Sequence, residues 1–145
     1  MPIDAPYEPS PTDYVAAQVA TYEDTGGREG GEMQGAPCVI LTTVGRASGN
    51  ARKSPLIRVE HDGGYAVIAS KGGAPDHPIW YLNLEADPHV TLQDRDVVRD
   101  FRARTATGEE RERWWQVAIA AWPDYTTYQT KTDREIPVVV LDPMD

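Results

Sequence analysis

The spacing of apolar residues changes several times along the chain, and each change marks an element. Val15, Val19 and Tyr22 recur at helical spacing behind Thr12 and Asp13, either of which can cap a helix running to about residue 23. Residues 37–44, rich in β-branched side chains, predict a buried strand. Residues 52–60 predict a second strand, turned at Asp62-Gly63-Gly64 into a third over 65–70. Pro78 suits the first position of a short helix to about residue 86. Residues 89–93 and 97–103 read as two more strands. Thr107-Gly-Glu-Glu110 has the spacing of a capping box ahead of a helix over 109–121. On it Trp114, Ala118 and Trp122, with Trp115 and Ile119 alongside, form an apolar stripe. Pro123 restarts a short helix through Lys131, and residues 136–141 read as the last strand.

Six short strands joined mostly by turns, with helices inserted late, predict a mainly β, α+β fold: an antiparallel sheet closed into a small barrel, with peripheral helices. The pattern does not alternate strand and helix, which disfavours a doubly wound nucleotide fold. Residues 1–35 read as an acidic N-terminal arm with one short helix, and residues 36–145 as the barrel domain. The arm carries Pro2, Pro6, Pro9 and Pro11 and is expected to be extended and poorly ordered over 1–11. The glycines of residues 25–32 read as a flexible loop and match no dinucleotide or P-loop spacing.

At 145 residues the chain suits one core. No run of apolar residues is long enough for a membrane span, the acidic start lacks a secretory pattern, and one cysteine fits a reducing compartment, so a cytoplasmic protein is expected. The net charge of −9 argues against nucleic acid or an anionic membrane surface as a partner. That charge is uneven. Residues 1–35 hold seven acids against Arg28 alone, whereas Arg46, Arg52, Lys53, Arg58 and Lys71 outnumber Glu60 and Asp62 in residues 46–71. A basic stretch in an acidic chain suits a small anionic ligand. His61, His77 and His89 are too far apart in sequence for a metal site, and Cys38 within Val39-Ile40-Leu41 reads as a core residue. Ser48, Ser54 and Ser70 lack the surroundings of a hydrolase nucleophile.

Two segments point to ligand chemistry. Gly45-Arg46-Ala47-Ser48-Gly49, followed by Arg52-Lys53, sets backbone amides, a hydroxyl and cations close together, as a phosphate requires. Ser70-Lys71-Gly72-Gly73 leads into Pro78-Ile79-Trp80, where glycines permit close approach to a flat ligand; Trp80 taken by itself reads first as a core aromatic. Tyr125 and Tyr128 neighbour each other on the late helix and offer either a hydroxyl-bearing wall or simple packing.

Together with Leu41-Thr-Thr-Val-Gly-Arg46, Pro78-Ile-Trp-Tyr-Leu-Asn-Leu84, Glu109-Glu-Arg111 and Thr132-Asp-Arg-Glu-Ile-Pro137, these segments resemble the deazaflavin-dependent nitroreductase and quinone reductase family of actinobacteria over residues 36–141. The resemblance implies a six-stranded split β-barrel of the FMN-binding type. It implies coenzyme F420 as cofactor, with FMN the lesser alternative, and hydride transfer to a small-molecule acceptor: a quinone, a nitroaromatic or an activated enone. Arg46, Ser48, Gly49, Arg52 and Lys53 would then hold the cofactor's phosphate and acidic tail. Ser70, Lys71, Gly72, Gly73, Pro78, Ile79 and Trp80 would line its ring, and Tyr125, Tyr128 and Ser70 would be the catalytic candidates, without any metal. Ala47 stands where the family's turn commonly has lysine, and Trp122 where the best-known nitroimidazole-reducing member has tyrosine. A non-catalytic F420 carrier on the same barrel is the rival reading, and a homodimer is left open.

Overall fold

The fold is that of a computed structural model, which describes residues 3–144. In chain order the elements are α1 (Asp13–Thr25), β1 (Glu32–Met33), β2 (Ala36–Val44), β3 (Ala51–Ile57), β4 (Val59–His61), β5 (Gly64–Ile68), a single 3-10 turn at Lys71–Gly73, α2 (Ile79–Ala86), β6 (His89–Asp94), β7 (Val97–Thr105), α3 (Gly108–Ala121), α4 (Asp124–Thr130) and β8 (Val138–Pro143). The strands form one antiparallel sheet in the order β1-β2-β6-β7-β8-β5-β4, with β3 also paired to β2. β3, paired to β2 near one end of this path, is separated from β4 at the other end by Arg58 alone, so one stretch of chain links the two sides and the sheet curls into a half-barrel.

The six expected strands are present, but the described residues hold eight. The second is broken because its partner changes: Ile57 still faces Cys38 of β2, whereas Val59 faces Ala66 of β5. Between them the Arg58 guanidinium binds Asp94 at 2.9 and 3.1 Å. The added strand is β1, folded onto β2 by the two-residue turn Gln34-Gly35, both with positive φ as a primed hairpin turn requires.

β2 is covered on both faces, which is why its apolar run is continuous rather than alternating. Val39 and Leu41 join Leu84, Trp80 and Phe101 in one cluster, while Cys38 and Ile40 pack under Val19 and Tyr22 of α1. Tyr22 is fully buried; its hydroxyl donates to the Cys38 carbonyl at 3.0 Å and accepts the Arg95 N–H at 2.7 Å. Burial pushes the Cys38 thiol up to about 11, so it stays protonated as a core group. The stripe of α3 packs as its spacing predicts, with Ala118 against Val138, Val140 and Ile136. The capping box does not form. Thr107 makes no side-chain cap bond, and the Glu110 carboxylate is taken by Arg104 at 2.5 and 2.8 Å.

The N-terminal segment is extended, as expected, but pinned in place. The Ala51 N–H donates to the Pro6 carbonyl at 2.8 Å, and the Glu8 N–H donates to the Ala51 carbonyl at 2.9 Å. Ala51 begins β3 with both backbone groups open to this pairing, so the proline-rich arm finds a ladder partner. The expectations for residues 1, 2 and 145 lie outside the described residues. Among the described residues no helix is long and apolar enough to cross a membrane.

Candidate functional site

A cavity of about 290 Å³ opens at one end of the curled sheet. Leu56, Ile57 and Ile68 from β3 and β5 form an apolar side. A second side comes from Ser70, Lys71 and Gly72 of the 3-10 turn with Pro78 and Trp80 of α2, and a third from Trp122, Tyr125 and Tyr128 around α4. Met33 and Gln34 of the β1 hairpin complete the lining. Mostly apolar walls with a few polar groups are the usual character of a small-molecule site.

The turn wall is built by backbone conformation. Lys71, Gly72 and Gly73 all have positive φ (47°, 63° and 84°). A Cβ at Gly72 would meet nothing within 4 Å, whereas at Gly73 it would lie 2.6 Å from the Tyr128 carbonyl oxygen. Gly72 thus leaves the cavity open, and Gly73 lets α4 come against the turn. Behind the wall the Arg134 guanidinium donates to the carbonyls of Ser70 (2.7 Å), Ala74 (2.9 Å) and Ala69 (3.1 Å), and it contacts His77 Nδ1 at 3.2 Å. Burial holds Arg134 below its ordinary pKa, and a guanidinium remains charged in proteins. Ser70 is only 8% exposed, and its hydroxyl has no partner among the described residues.

The facing wall carries two phenols with different surroundings. Tyr125 is 5% exposed, and burial, with the neighbouring Tyr128 second, pushes its pKa far above the ordinary phenol value. Its hydroxyl stays neutral and makes no hydrogen bond among the described residues. Tyr128 stands edge-on to it, with ring centroids 6.1 Å apart, and its oxygen accepts the Trp122 Nε1–H at 3.2 Å.

The basic turn lies along β3 from the cavity. Arg52 and Leu56 share one face of β3, about 13 Å apart at the rise of a strand. The turn closes on itself: Gly45 N–H donates to the Asn50 carbonyl (2.7 Å), Gly49 N–H to the Gly45 carbonyl (2.7 Å) and Asn50 N–H to Ser48 Oγ (3.1 Å). Buried Asn83 of α2 accepts the Arg46 N–H at 3.1 Å and donates to Thr43 Oγ1 at 3.2 Å. The Arg46 side chain is exposed and without a partner among the described residues. Arg52 is paired with Glu8 at 3.3 Å.

Of the residues expected at a site, Ser70, Lys71, Gly72, Pro78, Trp80, Tyr125 and Tyr128 line one cavity. Arg46, Ser48, Gly49 and Arg52 stand together on the turn and the start of β3, outside that lining. Three others face elsewhere. Lys53 lies on the opposite face of β3, paired with Glu23 and 4.9 Å over the Tyr7 ring. Gly73 meets α4, and Ile79 is 63% exposed. Sequence reasoning missed Met33, Gln34, Leu56, Ile57, Ile68, Asn83 and Arg134. Only Asn83, a polar residue inside an apolar helix, and Arg134, within a quoted motif, gave any signal.

The structure thus sets an aromatic-walled cavity in a curled antiparallel sheet, with a basic turn further along β3. Comparison with known proteins specifies it further. The model of the F420H(2)-dependent quinone reductase family matches residues 14–143, and the chain belongs to that family. It is 36% identical to an F420H(2)-dependent quinone reductase of Mycobacterium tuberculosis, over 84% of this chain and 85% of that one. Among solved structures, an F420-H2 dependent reductase is similar at 54% identity and a TM-score of 0.69, over 73% of this chain and 94% of that one. A structure described as a domain-swapped dimer is similar at 49% identity and a TM-score of 0.72, over 92% and 100% of the two chains.

Proposed function

We propose that this protein is an oxidoreductase that passes a hydride from reduced coenzyme F420 to a quinone, with nitroaromatics and activated enones as further acceptors. The observation that carries the proposal is a cavity walled by Trp80 and an open glycine turn on one side and by two tyrosines on the other, with an unpaired Arg46 on a turn beyond it.

The residues present fit the group. A cavity of about 290 Å³ suits a planar ring system and not a ring with its whole tail. The tail, which bears phosphate and carboxylates, would run along β3 toward Arg46, Ser48, Gly49 and Arg52. We read the sheet as a split barrel of the FMN-binding type, with β3 and β4 as one strand serving both ends.

When bound, the reduced deazaflavin supplies the hydride. The protein's own work is positioning and exclusion of water. Trp80 and the Gly72 backbone would flank the ring, Leu56, Ile57 and Ile68 would shield it from water, and the unpartnered Ser70 hydroxyl would be free to bond one of its polar atoms. Tyr125 and Tyr128 present hydroxyls to the acceptor oxygen on which negative charge develops. Tyr125 acts there as a neutral donor, because burial opposes its ionisation.

The test is titration with F420 and with FMN, followed by single-turnover oxidation of reduced F420 by menadione. Binding of F420 in preference to FMN, with reoxidation by menadione, is expected. Tight binding without turnover would make the protein a carrier, and preference for FMN would overturn the cofactor assignment.

A further inference from the structure

Trp122 is delivered to the cavity by two helices at once. It caps α3 with extended backbone (φ −146°, ψ 90°), its own N–H donating to the Ala118 carbonyl at 2.8 Å, and Pro123 starts α4 directly after it. Tyr128 lies on that helix, so a six-residue span fixes both rings. The indole Nε1–H donates to Tyr128 Oη at 3.2 Å. An indole nitrogen has no acceptor capacity, so this bond runs one way only. The phenol oxygen is the acceptor, and the phenol's own proton remains to be donated. Among the described residues nothing takes that proton, and both rings line the cavity.

We propose that Trp122 is a positioning residue that makes the Tyr128 hydroxyl a one-way hydrogen-bond donor to a carbonyl oxygen of the acceptor. The site then favours acceptors whose carbonyl oxygen is conjugated with the reducible centre and takes the developing charge, quinones and enones above all. This rests on the reading that the Tyr125–Tyr128 wall faces the acceptor. A hydroxyl-bearing side chain at 122 could accept the Tyr128 proton as readily as donate to its oxygen, and the direction would be lost. Accepting the indole N–H also polarises the phenol and strengthens its outgoing bond. Trp122 itself transfers no proton.

The experiment is a double-mutant cycle on single-turnover oxidation of reduced F420 by menadione, with wild type, Trp122→Phe, Tyr128→Phe and the double variant. F420 affinity by fluorescence and a thermal midpoint are measured for each. Tyr128→Phe is expected to slow turnover roughly 5-fold, the scale of one hydrogen bond made mainly in the transition state. Trp122→Phe is expected to slow it about 3-fold in the wild-type background and not at all in the Tyr128→Phe background, with F420 affinity unchanged in all four proteins. If Trp122→Phe unfolds the protein, the benzothienyl analogue of tryptophan at position 122 keeps the shape and removes only the N–H, and the same cycle is read with it. An equal loss in both backgrounds would mean that Trp122 acts through shape alone, overturning the inference while Tyr128 keeps its role. Wild-type turnover in Tyr128→Phe would overturn the reading of the wall, and the inference with it.

Discussion

Gly72 and Gly73 are adjacent, both have positive φ, and the structure gives them opposite tasks. Alanine at either position incurs the left-handed backbone cost, about 1–2 kcal/mol. At Gly72 that is nearly the whole cost, since a Cβ meets nothing within 4 Å. At Gly73 a Cβ would lie 2.6 Å from the Tyr128 carbonyl oxygen, 3.1 Å from Tyr128 Cα and 3.0 Å from Lys131 Cβ. Two of these three atoms are backbone, so α4 itself must move, and overpacking of this kind adds about 1–3 kcal/mol. For a chain of this length each kcal/mol shifts the melting temperature by roughly 2–4 °C. Gly72→Ala should therefore lower it by about 3–5 °C, and Gly73→Ala by roughly 10 °C. Function should separate them as well. Gly72→Ala puts a methyl on the cavity wall and weakens F420 binding, whereas Gly73→Ala displaces the Trp122–Tyr128 pair and slows menadione reduction. Differential scanning fluorimetry, F420 titration and single-turnover rates read all three effects. Equal melting shifts for the two variants, or a Gly73→Ala protein with wild-type turnover, would refute the close packing of α4 on the turn.

Two further outcomes follow from charge and burial. Removing both Arg46 and Arg52 should weaken F420 binding more than tenfold, at about 1.5–3 kcal/mol for each charge-assisted bond, while Glu8→Gln, which releases Arg52, should tighten it; unchanged affinity in both variants would exclude the turn as the tail's anchor. The raised pKa of Tyr125 predicts an alkaline loss of stability: the unfolded phenol ionises near pH 10 while the buried one does not, so the contribution is intact below pH 10 and falls by up to about 1.4 kcal/mol per pH unit above it. Urea midpoints for wild type and Tyr125→Phe between pH 9 and 11.5 check this, and identical alkaline slopes would show that the phenol is not held neutral by burial.

The elements were legible where local chemistry and tertiary packing agree. The run Val39-Ile40-Leu41 reads as a strand covered on both faces, and it is one. The α3 stripe reads as packed, and Ala118 at its centre is fully buried. Failures came where a distant partner decides. Thr107 and Glu110 have capping-box spacing, but Arg104, held also by Asp142 at 2.7 Å, is a stronger partner for the carboxylate than an amide of the same helix. No local property of Arg58 marks the place where one strand changes neighbours. The cavity was legible as separate wall segments and not as a lining, because Met33 and Leu56 come from strands whose sequence gives no chemical cue.

The uneven charge of the chain takes on a different meaning once partners are known. Read alone, the basic stretch from Arg46 to Lys71 suggests five cations awaiting an anionic ligand. Three are occupied within the fold: Arg52 by Glu8, Lys53 by Glu23 and Arg58 by Asp94. The first two partners come from the acidic N-terminal segment, so the excess of acid there and of base in β3 partly neutralise each other. Arg46 on the turn and Lys71 on the cavity wall have no partner among the described residues. These two stand one at the basic turn and one at the ring cavity, the places an anionic tail and a flat ring would occupy. Arg52 lies on the same strand face as Leu56, and its pairing with Glu8 at 3.3 Å is half-exposed and so weak enough to exchange. An anionic tail that reached Arg52 would release the Glu8 carboxylate to water. Glu8 thus competes with the tail for one cation, which is why its neutralisation is expected to strengthen binding.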